Sequence, residues 1–364
     1  MKIIQLLTRA QRRGAEIFAL QLSESLLETG HEVLVITLLS GGEGLEFSGR
    51  IIHLNRPGKK LVDWKGFWQL GKILKDFQPD LVQANASDTL RYGVAAKFLR
   101  GSQFCLVYRN ANMMSPFVKS RWTKSFYKFL LNQTGAVISV AEATRLDLMD
   151  FYGYSKIIHT IPIGIDGTAI EGKVREELDL ELPKSFLLFM GGFVEEKDPE
   201  FLIDWFVENH NQFSDLHLLF LGKGILVENL KKKIEVHSLQ EKVLLISNLG
   251  NPFPVLQKAK ALILPSKIEG LPAVILEAMY CRIPVVAYGV GGISEVLKNG
   301  ETGWCIPPKD SKAFSNDIQD VLQMDETAKQ KILDQAYQLV TSRYSLNQVT
   351  SQFEEFFQKI LAPN

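Results

Sequence analysis

Glu269 and Glu277 bracket seven residues that carry almost nothing polar, in the stretch LPSKIEGLPAVILEAMYCRIPVVAYGVGG. ALILP reads as a strand ending at Pro265-Ser266, Gly270-Leu271-Pro272 as a turn, and AVILEAMY as a short helix that stops before Pro284. Pro272 suits the first helical position, where an N–H has no intrahelical partner to lose. The first turn, from Ala273, offers free N–H groups and the positive end of the helix dipole, which favour an anion such as a diphosphate. Glu269 lies in the turn before the helix. Glu277 lies on it, where a carboxylate can accept hydrogen bonds from sugar hydroxyls. Anion on backbone donors and hydroxyls on carboxylates is the chemistry of a nucleotide-sugar site. The plainer alternative makes Glu277 a solvated helix residue and Glu269 an ordinary helix-start acid.

The elements that must hold these groups follow from periodicity. KIIQLL, EVLVITL, DLVQAN, FCLVYR and AVISV read as strands in the first half, with SFLLFMGG, LHLLFLG, VLLISN, ALILPS and IPVVAYG in the second. Amphipathic helical stretches lie between them, such as IFALQLSESLLETG, which ends at Gly30. The strands run apolar rather than alternating, as parallel sheets covered on both faces require. The predicted class is α/β, with two Rossmann-like doubly wound parallel-sheet domains facing a cleft. A seam rich in Gly, Pro and charge is expected near 164–184. It divides an N-terminal domain, 1–165, from a second, 166–345, and the last segment, 346–364, is expected as one amphipathic helix packing back on the first domain. Doubly wound sheets bind ligands beyond the carboxyl ends of their strands.

At 364 residues, 46% hydrophobic and 23% charged, the chain has the composition of two globular domains. Its net charge is zero, but through Ile165 it has 21 Lys and Arg against 13 Asp and Glu, and the remainder has 20 against 28. No helix-turn-helix, zinc or RNP-like pattern accompanies the basic half, so nucleic acid is not an expected partner. Cys105, Cys281 and Cys305 are widely spaced in apolar settings, which suits a reducing cytosol better than a disulfide framework or metal site. MKIIQLLTRAQRRG has too short an apolar run for a signal peptide and reads as the first strand. No run approaches the roughly 20 apolar residues of a spanning helix. A Rossmann dehydrogenase is disfavoured, because no Gly-x-Gly-x-x-Gly follows the first strand.

The stretch from Leu264 to Pro308 closely resembles the nucleotide-sugar signature of glycosyltransferase family 4: a Glu, seven residues, a second Glu, then Pro-Val-Val, Gly-Gly and a Glu, here Glu269 to Glu295. Gly14-Ala15-Glu16 after the first strand, GHEV at 30–33, IPIGID at 161–166 and the C-terminal helix are similar too, so the resemblance spans essentially the whole chain. It implies the GT-B architecture, a retaining reaction, and no cofactor or metal beyond the nucleotide-diphosphate-sugar co-substrate. By position, Glu277 resembles the acid that grips the donor ribose. Glu269, with the backbone of Gly270, Leu271, Pro272 and Ala273, resembles the part that holds the transferred sugar and diphosphate. MGGFVEEKD resembles the family's phosphate clamp, whose Lys197 would neutralise the leaving diphosphate, and Gly14 falls on the donor side. These assignments make Lys197 and Glu269 the expected catalytic pair. Taken alone, Lys197 would read as a surface lysine.

Two departures stand out. The clamp's arginine position is Gly192, so Lys197 is left to act alone or with Lys223. Relatives often carry a histidine after the strand equivalent to FCLVYR, whereas here the chain reads YRNANMM. Arg109, Asn110 and Asn112 are the acceptor-side candidates there, and none is a base. The departing phosphate can itself take the acceptor proton. No Asp-x-Asp pair sits at a strand end, which supports a metal-independent reading.

Basic residues interleave with aromatics in MMSPFVKSRWTKSFYKFLLNQ and DWKGFWQLGKILKDF. Such helices suit an anionic bilayer surface, and the alternative is aromatics packed on the sheet with lysines in water. The first reading predicts a cytoplasmic enzyme, peripheral on the inner face of the cell membrane, with a lipid-linked hydroxyl acceptor and a role in cell-surface polysaccharide or glycolipid synthesis. The competing readings are a nucleotide-sugar epimerase of the same fold and a catalytically degenerate nucleotide-sugar-binding subunit.

Overall fold

The structure, a computed structural model, describes residues 1–362 except 12, 43, 45, 59–61, 101, 102 and 248. The chain forms two compact units, Met1–Gly164 with Leu346–Asn364, and Ile165–Ser345.

In the first unit the elements run β1 (Lys2–Leu7), α1 (Gly14–Glu28), β2 (Glu32–Leu39), β3 (Arg50–Arg56), α2 (Trp64–Phe77), β4 (Leu81–Ala84), α3 (Ser87–Arg100), β5 (Cys105–Asn110), α4 (Arg121–Asn132), β6 (Ala136–Ser139), α5 (Glu142–Tyr152) and β7 (Ile158–Thr160). All seven strands are parallel, in the order β3-β2-β1-β4-β5-β6-β7. The direction of winding reverses at β1, so right-handed crossovers place α1 on one face and α2 to α5 on the other. The core agrees with this: Ile4, Leu6, Leu34 and Ile36 pack with Phe67, Leu70 and Leu90, while Leu7 and Val35 pack with Ala19 and Leu20 of α1. Asp63 anchors the second layer. It caps α2 through the Gly66 N–H (3.1 Å), receives two hydrogen bonds from Arg56 at the end of β3 (2.8 Å each), and accepts one from Tyr92 of α3 (2.6 Å). The Arg56 guanidinium holds its carboxyl far below the usual carboxylate range.

The second unit runs α6 (Gly167–Val174), β8 (Phe186–Met190), α7 (Pro199–Asn209), β9 (His217–Leu221), α8 (Val227–Val236), β10 (Val243–Ile246), α9 (Phe253–Leu256), β11 (Ala261–Leu264), α10 (Ala273–Tyr280), β12 (Val285–Tyr288), α11 (Ile293–Val296), β13 (Trp304–Ile306), α12 (Ser311–Gln323) and α13 (Glu326–Arg343). Its six parallel strands are ordered β10-β9-β8-β11-β12-β13. The last helix, α14 (Leu346–Leu361), belongs to the first unit. There Phe353 meets Phe18 of α1 with ring centroids 6.0 Å apart, Phe356 stacks on His159, and Glu354 pairs with His31 at 2.8 Å.

The ten strands read from the sequence are all present. The structure adds β3, β7 and β13, each at the edge of its sheet. It also corrects the seam. The stretch expected as a linker contains α6, which packs on α10: Tyr280 donates a hydrogen bond to Glu171 (2.8 Å), and a Cβ on Gly167 would fall 2.5 Å from the Tyr280 hydroxyl. Among the described residues no helix is long and apolar enough to cross a membrane.

Candidate functional site

The second sheet reverses its winding between β8 and β11, so the loops that follow these adjacent strands diverge and leave a gap beyond their carboxyl ends. Both sequence-derived catalytic candidates lie there. After β8 the chain passes Gly191-Gly192 and makes a 3-10 turn, Glu195–Lys197, then Asp198 at φ +48° before α7. After β11 it passes Ser266 to Pro272 before α10. The two loops are fastened together. The Lys267 and Ile268 N–H groups donate to the Glu196 carbonyl (2.8 and 3.3 Å), Lys267 pairs with Asp198 (2.7 Å), and Lys197 Nζ pairs directly with Glu269 Oε2. Glu269 is buried and Lys197 partly exposed. The cation expected to meet a diphosphate is thus already neutralised by a carboxylate, and an incoming anion must share or displace that partner.

The glycine pair has a direct role. Gly291, at φ +56°, lies so close to the Glu269–Gly270 backbone that a Cβ would fall 2.0 Å from the Glu269 carbonyl oxygen. Gly292 N–H donates to the Gly270 carbonyl at 2.6 Å. The loop after β12 therefore braces the turn that carries Glu269. On the other side, a Cβ on Gly222 or Gly224 would fall 1.9 Å from the Gly191 carbonyl oxygen or 2.2 Å from that of Phe193, so the LGKG turn after β9 lies backbone to backbone with MGGF. That contact brings the Lys223 carbonyl to 3.9 Å from where a Gly192 Cβ would stand, and the exposed Lys223 side chain carries no ion pair among those of the described residues. Gly192 has room for a side chain, since its nearest neighbour would be Val194 at 3.6 Å.

The helix spans AVILEAMY as the sequence suggests, but Pro272 stands just before its first position rather than in it. Pro272 precedes it with ψ 126°, in extended conformation, and Ala273 is the first helical residue. The Ile275 N–H turns back to the Pro272 carbonyl (3.2 Å), leaving the amides of Ala273 and Val274 at positions that have no intrahelical acceptor. Leu271 is buried beneath the turn. Glu277 is partly buried rather than solvated, and desolvation raises its pKa to about 7 against a smaller opposing pull from Lys173 of α6. Ser266 was not among the sequence candidates. It is fully buried at the end of β11, and its hydroxyl has no partner. Only its place at a strand end could have marked it.

In the first unit Gly14 is the exposed first residue of α1, whose N-cap, Arg13, supplies no side-chain cap. Arg109 is buried over the Phe18 ring (4.4 Å), and its Nε and Nη1 atoms have no hydrogen-bond partner. Burial pulls its pKa down to about 10, opposed by the field of Glu16, whose own pKa burial raises. Asn110 is turned inward, donating to the Thr144 carbonyl (3.0 Å), so it serves the packing of β5 on α5 rather than presenting its amide to a substrate. Asn112 accepts a hydrogen bond from the Met113 N–H within the following bend. Among the described residues no group of three or more His, Cys, Asp or Glu gathers as a metal site.

The family model described as Glycosyltransferase Family 4 matches residues 12–168, and that described as Glycosyl transferases group 1 matches residues 171–337. The chain is 26% identical over 197 residues to the alpha-D-kanosaminyltransferase of Streptomyces kanamyceticus, a match covering 54% of this chain and half of that enzyme's length. It is 27% identical over 272 residues to the UDP-Gal:alpha-D-GlcNAc-diphosphoundecaprenol alpha-1,3-galactosyltransferase of Escherichia coli, covering 70% of each. Among solved structures, Anabaena Alr3699/HepE in complex with UDP and glucose shares the fold with a TM-score of 0.82 over 99% of this chain and 100% of that one, at 18% identity.

Proposed function

Since the chain belongs to the family 4 glycosyltransferases, we propose that it moves a sugar, with retention of configuration, from a nucleotide-diphosphate-sugar to a hydroxyl acceptor. The observation that carries this is the loop cluster beyond β8 and β11, where Lys197, Glu269 and the free amides of α10 converge. In this reading the second unit holds the donor. Its diphosphate sits against the amides of Ala273 and Val274, its ribose hydroxyls donate to Glu277, and the transferred sugar meets Glu269 and the Gly270–Pro272 backbone. As the bond from the anomeric carbon to the diphosphate breaks, negative charge gathers on the leaving oxygen, and Lys197 stabilises it. The acceptor oxygen forms the new bond on the same face, and its proton passes to the leaving phosphate. No metal takes part in this scheme.

In this reading the first unit serves the acceptor, with Arg109 and Asn112 as its candidate residues. A lipid-linked acceptor is favoured by the name of the E. coli relative, whose substrate is a diphosphoundecaprenol. The enzyme then works at the cytoplasmic face of a membrane, in glycolipid or polysaccharide synthesis. Thermal unfolding against a panel of nucleoside diphosphates and their sugars, UDP first, tests donor binding, because a ligand of the native state raises apparent stability. Glu277→Ala is expected to weaken nucleotide binding about tenfold or more through a lost hydrogen bond to a charged group, and Lys197→Ala to slow transfer by about a hundredfold. Wild-type kinetics in both variants would remove this assignment. Gly192 in the clamp favours one second reading, a nucleotide-sugar-binding subunit without turnover, which tight nucleotide binding with no transfer to a broad acceptor panel would support.

A further inference from the structure

Helix α4 is amphipathic the wrong way round for a helix packed on a sheet. Trp122, Phe126 and Phe129 are spaced i, i+4, i+7, so they share one face. That face is turned to solvent, with the three residues 87%, 36% and 49% exposed, while Leu130 and Leu131 are the residues of α4 that are buried. The alternative reading for this helix, aromatics packed on the sheet, fails here. The stripe continues onto α3, where Phe98 is 63% exposed and stacks parallel to Phe129 with centroids 6.3 Å apart, and where Leu99 is exposed as well. Phe117, in the loop before α4, is exposed too, and Trp64 lies exposed on α2, the neighbour of α3 in the same helical layer.

The charge on α4 itself has one sign. α4 contains no acidic residue, and Lys119, Arg121 and Lys128 are exposed on or beside it. Lys124 lies with its ammonium 4.3 Å from the Phe151 ring. A second copy of the chain is a poor occupant, because a two-fold contact sets the same patch against itself and would oppose these cations. A negatively charged, apolar-cored surface matches both features at once. We propose that α4, with Phe98, Leu99 and Phe117, lies flat in the interface of an anionic bilayer, over the helix's length of about 18 Å, with the aromatics among the acyl chains and Lys119, Arg121 and Lys128 at the headgroups. This deepens the reading of a membrane-linked acceptor and rests on it only for its biological purpose.

Co-sedimentation with phosphatidylcholine vesicles, with and without phosphatidylglycerol, tests it at low and high salt. The wild type is expected to bind the anionic vesicles and to be released by salt. Trp122→Ser/Phe126→Ser/Phe129→Ser should weaken binding about tenfold or more through lost apolar burial, and Lys119→Glu/Arg121→Glu/Lys128→Glu should abolish the preference for phosphatidylglycerol. Nucleotide-induced thermal stabilisation should be unchanged in both. No binding by the wild type, or equal binding by the aromatic variant, overturns the proposal. So does sedimentation velocity showing a wild-type dimer that the aromatic variant dissolves. Vesicle binding without any nucleotide-induced stabilisation would instead sink the transferase reading and leave the membrane face standing.

Discussion

Glu277 combines two demands that pull its proton in opposite directions. Its folded pKa is raised to about 7 by desolvation, so the empty protein holds that proton more tightly than the unfolded chain does. Stability from this group is therefore full below the ordinary carboxylate range and is lost as pH rises towards about 7. The role proposed for Glu277, gripping ribose hydroxyls, is best served by the ionised form, so donor affinity should fall as pH drops below about 7. Glu277→Gln is expected to flatten the pH dependence of the urea-unfolding free energy across this window and to remove the acid-side loss of nucleotide affinity. A variant with the wild-type slope would show that another group titrates there. The sequence showed that Glu269 and Glu277 could serve one site, because residue type and spacing carry that information. It could not show that Lys197 and Glu269 are each other's partner, since their pairing depends on β8 and β11 being neighbours across 70 residues of intervening chain. It misdirected Asn110 for the same kind of reason: only the tertiary position of the Thr144 carbonyl decides where that amide turns.

At the scale of elements, the turn that carries Glu269 is held by backbone contacts that only glycine permits. Gly291→Ala would place a methyl carbon 2.0 Å from the Glu269 carbonyl oxygen at a left-handed φ. It should lower stability by about 1–3 kcal/mol from the dihedral alone, with the clash added, and should erase nucleotide-induced stabilisation. Gly300→Ala is the control, for Gly300 has a comparable φ of +72° and nothing within 4 Å. An equal effect of the two in thermal unfolding would deny Gly291 its bracing role. The legibility of the fold follows burial. Central strands such as β1 and β5 run apolar and declare themselves, whereas β3 alternates around polar His53 and Asn55, and β7 and β13 have three residues each. Edge strands bury less, so hydrophobic periodicity marks them weakly. α6 was hidden by its two glycines, which lower helix propensity by about 1 kcal/mol each, and it survives because it packs on α10.

At the scale of the molecule, the two units divide the charge. The first, with α14, has 22 Lys and Arg against 15 Asp and Glu, and the second has 19 against 26. On the proposed reading, a donor bearing a diphosphate approaches the more acidic unit, and local amides and Lys197 overcome that field. The integrity of the basic unit depends on its last helix. Phe353 and Phe357 are fully buried against α1 and its surroundings, so Phe353→Ala should cost about 3–5 kcal/mol, read as a lower midpoint in urea unfolding. Should the midpoint stay put, α14 is an ornament of the first unit rather than part of its core.

The chain leaves the first unit at Gly164 and re-enters it at Leu346, where the two backbones touch so closely that a Cβ on Gly164 would fall 2.9 Å from the Leu346 Cα. During synthesis the segment Ile165–Ser345 is therefore complete while the earlier-made portion still lacks its closing helix. The unit whose synthesis starts first is thus the last to receive its full core, since the helix that closes it is made after the whole of the other unit.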